Sequence, residues 1–238
     1  MPTPIPDPVH QKAIIISFLQ LRRAIGWCGI ALPIFLFCVF VFLYPHCSLP
    51  PSISHFYYTG LGTYFTGTLF AVAIFLFHYR MPANIDRIAA QVAAGAALVV
   101  ACCPTNPYCN SCITCIQIEW IPHRIVTKLH YGAALVFFLV LAFFCLFLFT
   151  KTHARFPATA EKIIRNRIYK ICGYTILVCI CLLALQEWPA FVRRIPAIKW
   201  PFSTFIIESI ALEAFGISWL IKGETLCKDV ISPLRNHL

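Results

Sequence analysis

Six apolar stretches, most of them about as long as a bilayer is thick, run through this chain at residues 24–44, 59–79, 88–103, 126–150, 168–187 and 202–221. A helix rises about 1.5 Å per residue and the hydrocarbon core is about 30 Å thick, so about 20 residues suffice to cross it. The stretches therefore predict an all-α, polytopic membrane bundle of about six transmembrane helices. Composition agrees: 60% of residues are hydrophobic, 12% are charged and the mean hydropathy is +0.78. A soluble domain carries about 25% charge, and a soluble chain this apolar could not cover its own surface. At 238 residues there is no room for a sizeable soluble domain beside the membrane one.

The expected organisation has three parts. Residues 1–23 form a Pro-rich tail and an interfacial segment, 24–221 the six-helix membrane domain, and 222–238 a cytoplasmic tail. Pro2, Pro4, Pro6 and Pro8 block helix and sheet pairing at the start. Beyond them, Ile14, Ile15, Phe18 and Leu19 share one helical face, which suits a helix lying along the interface. A cleaved signal peptide is not expected, because the apolar run after Arg23 is too long and no small-residue cleavage site follows. The third stretch is the shortest and holds Ala89, Ala90, Ala93, Ala94, Ala96, Ala97 and Ala101. Small side chains admit close neighbours, so this helix is expected at the centre of the bundle.

The basic residues set the orientation. Fourteen of them fall on one set of connections: Lys12, Arg22, Arg23, Arg80, Arg87, Lys151, Arg155, Lys162, Arg165, Arg167, Lys170, Lys222, Lys228 and Arg235. Five fall on the other: Arg124, Lys128, Arg193, Arg194 and Lys199. The positive-inside rule puts both termini in the cytoplasm, and the expected location is a plasma membrane of the bacterial inner-membrane type. The same rule accounts for the net charge of +10, so nucleic acid is not an expected partner. Membrane lipids are, and a homo-oligomer is left open.

Thirteen cysteines are present. Those within or beside spans read as small apolar fillers. Cys47, Cys102, Cys103, Cys109, Cys112 and Cys115 lie in or beside the outer loops, where disulfides persist. Such staples stabilise by about 2–4 kcal/mol each, and the pairing is not readable from sequence. The spacing of Cys109, Cys112 and Cys115 also suits zinc, with His123 or His130 completing the set. Staples are the preferred reading, so no metal site and no cofactor are expected, with zinc as the alternative.

Polar groups in or near spans are costly and so are functional candidates. The polar residues before and within the second stretch include Ser52, Ser54, His55, Tyr57, Tyr58, Thr63 and Thr66, and Thr105, His130 and Tyr131 belong to the same outer side. Ser54, His55, Tyr58, Thr105 and His130, with the intramembrane Glu208, are the expected lining of an outward polar cup. Glu208 and Glu213 stand about 140° apart around the last helix and cannot share a face. On the other side, Asp86 is expected to cap the third helix. No Ser–His–Asp order, phosphate-binding Gly loop or HExxH helix occurs, so no catalytic residue is assigned and the balance leans away from an enzyme.

Pro51-Ser-Ile-Ser-His-Phe-Tyr-Tyr-Thr59 and Phe65-Thr-Gly67-Thr-Leu-Phe70 carry a resemblance. So do Cys103-Pro-Thr105, Leu129-His-Tyr131, Arg165-Asn166, Cys172-Gly173 and Phe215-Gly-Ile-Ser-Trp219. From Arg23 onward the chain resembles an uncharacterised family of bacterial integral membrane proteins related to domain-of-unknown-function 998. More distantly it is similar to the six-helix FRAG/DRAM/SFK-type proteins of eukaryotes, which are linked to lipid-anchor remodelling, autophagy and lipid organisation. The resemblance implies a lipid-facing role. One departure stands out: Gly62 and Thr63 occupy the positions where the bacterial family places an Arg-Asp pair. Three functions are thus in view: binding or organising a lipid or small molecule, modifying a lipid within the membrane, and transport. No inverted repeat supports the last.

Overall fold

A computed structural model of the chain describes residues 8–79, 84–107, 123–151 and 159–225. Those residues are helical, with no strand among them. The helices are α1 (Pro8–Leu43), α2 (Gly62–Phe77), α3 (Asn84–Cys102), α4 (His123–Phe143), α5 (Ala160–Gln186), α6 (Pro189–Arg194) and α7 (Ser203–Lys222). A short 3-10 turn, Ile53–Tyr58, precedes α2, and a second, Pro196–Ile198, precedes α7. One π turn, Phe144–Leu148, extends α4. Five helices are long and apolar enough to cross a membrane, and α2 is equally apolar but has 16 residues. The outward side chains confirm the solvent: Phe42 is 82% exposed, and Phe77, Phe147, Ile171 and Val178 also face out. Such a surface is stable only in lipid. The chain is an integral, multi-pass membrane protein.

The six longer helices form a ring in which α1 packs on α2, α2 on α3, α3 on α4, α4 on α5, α5 on α7, and α7 back on α1. Phe40, Phe144, Phe215, Trp219 and Leu141 fill the interior. Contacts between neighbours place the two sets of connections at opposite ends. One end gathers the basic residues; the other gathers the 3-10 turns and the end of α3.

Two expectations change. The apolar segment before the first span does not lie along an interface as a separate helix; α1 is continuous from Pro8. Nothing in the sequence between them breaks a helix, so propagation wins over a bend. The alanine-rich α3 sits in the ring between α2 and α4, and α7 is the most buried span. Glycines decide this. A Cβ on Gly216 would stand 2.7 Å from the Gly26 carbonyl oxygen and 2.9 Å from the Ile30 nitrogen, so α1 and α7 meet backbone to backbone. The α3 alanines instead face α2 and α4.

The cysteine expectation is corrected in part. Cys102 and Cys103 are free thiols. Helical backbone runs through them, with the Cys103 N–H donating to the Val99 carbonyl at 2.8 Å, so their side chains diverge by about 100°. No disulfide joins two described cysteines. Cys47 is itself disulfide-bonded, and Cys109, Cys112 and Cys115 lie outside the described residues.

Candidate functional site

At the less basic end, the 3-10 turn Ile53–Tyr58 folds into the mouth of the ring. Phe56 is its anchor: fully buried, edge-on to Phe40 at 5.4 Å and against Phe205 at 5.9 Å. Two hydrogen bonds pin the turn to α7. The Phe205 N–H donates to the Pro51 carbonyl at 3.0 Å, and the Ile53 N–H donates to Glu208 Oε2 at 2.7 Å. Glu208 therefore receives a backbone donor that the turn leaves unpaired, which answers much of its burial cost.

The anchored turn then presents its polar side chains to α4 and the end of α3. His130, 2% exposed, uses both ring nitrogens. Its Nδ1 bonds the Cys103 carbonyl at 2.6 Å and its Nε2 bonds Ser54 Oγ at 2.9 Å. A carbonyl only accepts, so Nδ1 carries the proton; on the neutral ring Nε2 accepts from the Ser54 hydroxyl. Tyr58 donates to the Thr105 carbonyl at 2.6 Å, and the Thr105 hydroxyl donates to Tyr131 at 3.2 Å. Ser52 Oγ and His55 Nδ1 pair at 2.6 Å within the turn.

Of the expected cup residues, Ser54 bonds His130 and Tyr58 bonds Thr105, two sets that lie side by side where the His130 and Tyr131 rings meet edge-on at 5.8 Å, and His55 adjoins them beside His130. Glu208 reaches the same turn from beneath. Burial first, and then the neighbouring His130 imidazole, holds the His55 imidazole down to about 4. Burial, then Tyr57, pushes the Tyr58 phenol up to about 12. Both side chains stay uncharged at neutral pH, so the turn presents hydroxyls and an imidazole toward α4. Tyr131, half exposed on the outer flank of α4, opens the network sideways toward lipid.

Gly62 bears on the departure from the resembled family. A Cβ there would strike the Tyr57 carbonyl, so no side chain fits without displacing the turn that carries Ser54 and His55. Thr63 is exposed and lines a groove between α1 and α2 with Trp27, Tyr64 and Gly67. Sequence reading also missed two struts at this end. Thr127 donates to Asn106 at 2.9 Å, and buried Gln186 ties Thr204 at 3.0 Å to the Ile198 carbonyl at 2.9 Å. A lone glutamine at the end of an apolar run was the available signal.

Among the described residues no three His, Cys, Asp or Glu side chains are placed to hold a metal ion. Asp86, in the first turn of α3, is buried and reaches Lys151 Nζ at 2.5 Å. The ring of apolar helices with a polar turn at one end defines a polytopic helical membrane protein. Comparison of the chain with protein-family models, with curated proteins and with solved structures finds no match.

Proposed function

We propose that this protein binds an uncharged, hydroxyl- or carbonyl-bearing lipid headgroup at the Ser54–His130 site, with that end facing out of the cell and the basic end in the cytoplasm of a bacterial-type plasma membrane. The convergence of Ser54, Tyr58, Thr105, His130 and Tyr131 from three separate segments carries the reading. Their bonds can be exchanged for bonds to a ligand at little net cost, since hydrogen bonds swapped one for one nearly balance. The position, at the end of the spans and open beside Tyr131, is where a headgroup lies. The resemblance to the bacterial membrane family belongs to the same proposal.

Lipid carried through purification is the direct test. Native mass spectrometry of the wild-type protein should show a retained neutral or zwitterionic lipid that S54A and H130Q lose while remaining monodisperse. Equal lipid content in all three would overturn the reading. Orientation is read from Cys102, whose exposed thiol should react with an impermeant maleimide added to intact cells.

One observation favours a second reading, a lipid-modifying enzyme. Ser54 donating to a histidine whose other nitrogen is fixed on a carbonyl is the arrangement of an activated nucleophile and its base. Covalent labelling by a serine-reactive fluorophosphonate, abolished in S54A, would support it; absence of labelling would remove it.

A further inference from the structure

α5 and α7 both have the length and apolarity of spans, so the segment joining them, Glu187 to Phe202, lies where the two helices leave hydrocarbon. It is not a slack loop. α6 and the 3-10 turn Pro196–Ile198 both rest on α5. Buried Gln186 clamps the segment: its Nε2 donates to the Ile198 carbonyl at 2.9 Å, and its Oε1 accepts from the Thr204 hydroxyl at 3.0 Å. The Trp188 N–H donates to the Leu185 carbonyl at 3.2 Å, and the Ser203 N–H donates to the Trp200 carbonyl at 3.0 Å. Phe202 makes the turn into α7 in the left-handed region, at φ 64°. A bulky residue stays there only where its surroundings fix it.

What this fixed segment turns outward is apolar. No residue of α6 or of the second 3-10 turn is buried. Trp188 is 58% exposed and Trp200 46%, and Ile195 and Phe202 also face out. The Trp188 and Phe191 rings stack at 6.4 Å and 20°. Ordered backbone that holds such side chains outward is costly against water and needs a cover. The same segment is positive. Arg193 and Arg194 end α6, both exposed, and Lys199 follows. The one acid of the segment, Glu187, meets Lys199 at 3.5 Å.

These two properties choose the cover. A second copy of the chain, seated on the patch by two-fold symmetry, would crowd Arg193 and Arg194 of both copies into one self-complementary interface, like charge beside like charge. The boundary of a bilayer has both parts the segment needs. Tryptophan is favoured there, because its ring meets acyl chain while its indole N–H meets polar groups. Arginine lays its stem along hydrocarbon and sets its guanidinium on phosphate. Helices that lie in the interface combine these two kinds of residue.

We propose that the segment from Trp188 to Phe202 is an interfacial anchor that docks on anionic phospholipid, with Trp188, Ile195, Trp200 and Phe202 among the upper acyl chains and Arg193 and Arg194 on the phosphates. Through Gln186 and Thr204 the anchor fixes where α7 begins. Basic groups at a membrane surface each favour anionic lipid by about fivefold.

The test uses full-length protein in vesicles of phosphatidylcholine and phosphatidylglycerol, with bromine on the acyl chains of one lipid or the other. Bromine quenches indole on contact, and the emission that the W188F/W200F double variant lacks reports on the segment. Bromines high on the chain should quench that emission more than bromines near its end. Brominated phosphatidylglycerol should quench it as a lipid enriched over phosphatidylcholine, and R193Q and R194Q should each lower the enrichment about fivefold. R193K and R194K should keep it, which separates lost charge from lost folding. Emission quenched by neither lipid, or quenched most by the deepest bromines, would overturn the anchor. Equal quenching by the two lipids in wild type, or full enrichment in R193Q and R194Q, would overturn the choice of headgroup. None of these outcomes depends on Ser54 or His130.

Discussion

Replacing Gly216 with alanine should loosen the seam between α1 and α7. The added Cβ would meet Ile30 Cγ1 at 2.6 Å, the Gly26 carbonyl at 2.7 Å and the Ile30 nitrogen at 2.9 Å. The first atom can rotate away, but the other two are backbone. The helices must therefore separate, and separation loosens the packing of Ile25, Phe215 and Trp219. Overpacking of this kind costs about 1–3 kcal/mol. Alanine returns at most about 1 kcal/mol of helix propensity, less in a membrane where the helix largely persists on unfolding. The net is a loss of about 1–2 kcal/mol, or roughly 2–8 °C in a chain of this size. Gly95 and Gly132 supply the control, since a Cβ at either meets nothing within 4 Å. G95A and G132A should lie level with wild type or slightly above. A thiol-reactive dye reads all three variants, because Cys145, Cys172 and Cys179 are free and buried until the bundle opens. If G216A melted with G95A, the backbone contact would not be what joins these helices.

The remaining predictions concern charge. His55 is held down to about 4 in the folded protein against an ordinary 6.5, so the unfolded chain takes up a proton first as pH falls. Its contribution is therefore complete above about 6.5 and is lost between there and about 4, at up to about 1.4 kcal/mol per pH unit. Thermal melts from pH 7 to 4.5 should fall steeply in wild type and less in H55Q; equal slopes would contradict the assignment. For the pair across the basic end, the side chain of Asp86 is 5% exposed and that of Lys151 48%. K151M strands a buried carboxylate, whereas D86N leaves an amine that water can reach. K151M should be the more destabilising by about 1 kcal/mol, and the reverse order in melting temperature would refute the pairing.

The spans were legible because hydrocarbon admits so few solutions. Apolar length alone located all six long helices, and their bounds moved by only a few residues except at α1 and α5. What failed were inferences about neighbours. Alanine content does not say which partner a helix meets, and α3 is small-faced toward α2 and α4. Two glycines, Gly26 and Gly216, carried the decisive contact, and each looks unremarkable within its apolar run. At the less basic end, clustering of Ser, Thr, Tyr and His drew attention to the turn. The sequence could not show that Phe56 anchors it or that Glu208 serves its backbone. At the basic end the positive-inside count was so satisfying an account of the lysines and arginines that it concealed their convergence. Only the fold shows Arg22 and Lys222, 200 positions apart, meeting where Arg22 Nη1 donates to the Lys222 carbonyl at 3.3 Å.

The two ends differ in kind, and the difference follows from how each treats charge. The turn at the less basic end is made of hydroxyls, imidazoles and carbonyls, and burial keeps His55 and Tyr58 uncharged there. Its hydrogen bonds satisfy one another, so it can stand closed and exchange them for a neutral partner. The basic end is built of cations instead, with rings and carbonyls positioning Arg22, Lys162 and Lys222. α7 runs between the two ends: Glu208 holds the polar turn through Ile53, and four turns on, Lys222 stands over the Phe149 ring. α1 packs on α7 through Gly26 and Gly216, so any shift of α7 that accommodates one ligand must be taken up at that glycine contact. The same G216A variant that tests the packing therefore also tests how far the polar turn depends on α7. If the turn is held by α7 through Glu208, G216A should lower retention of the neutral lipid; retention equal to wild type would show that the turn stands without that contact.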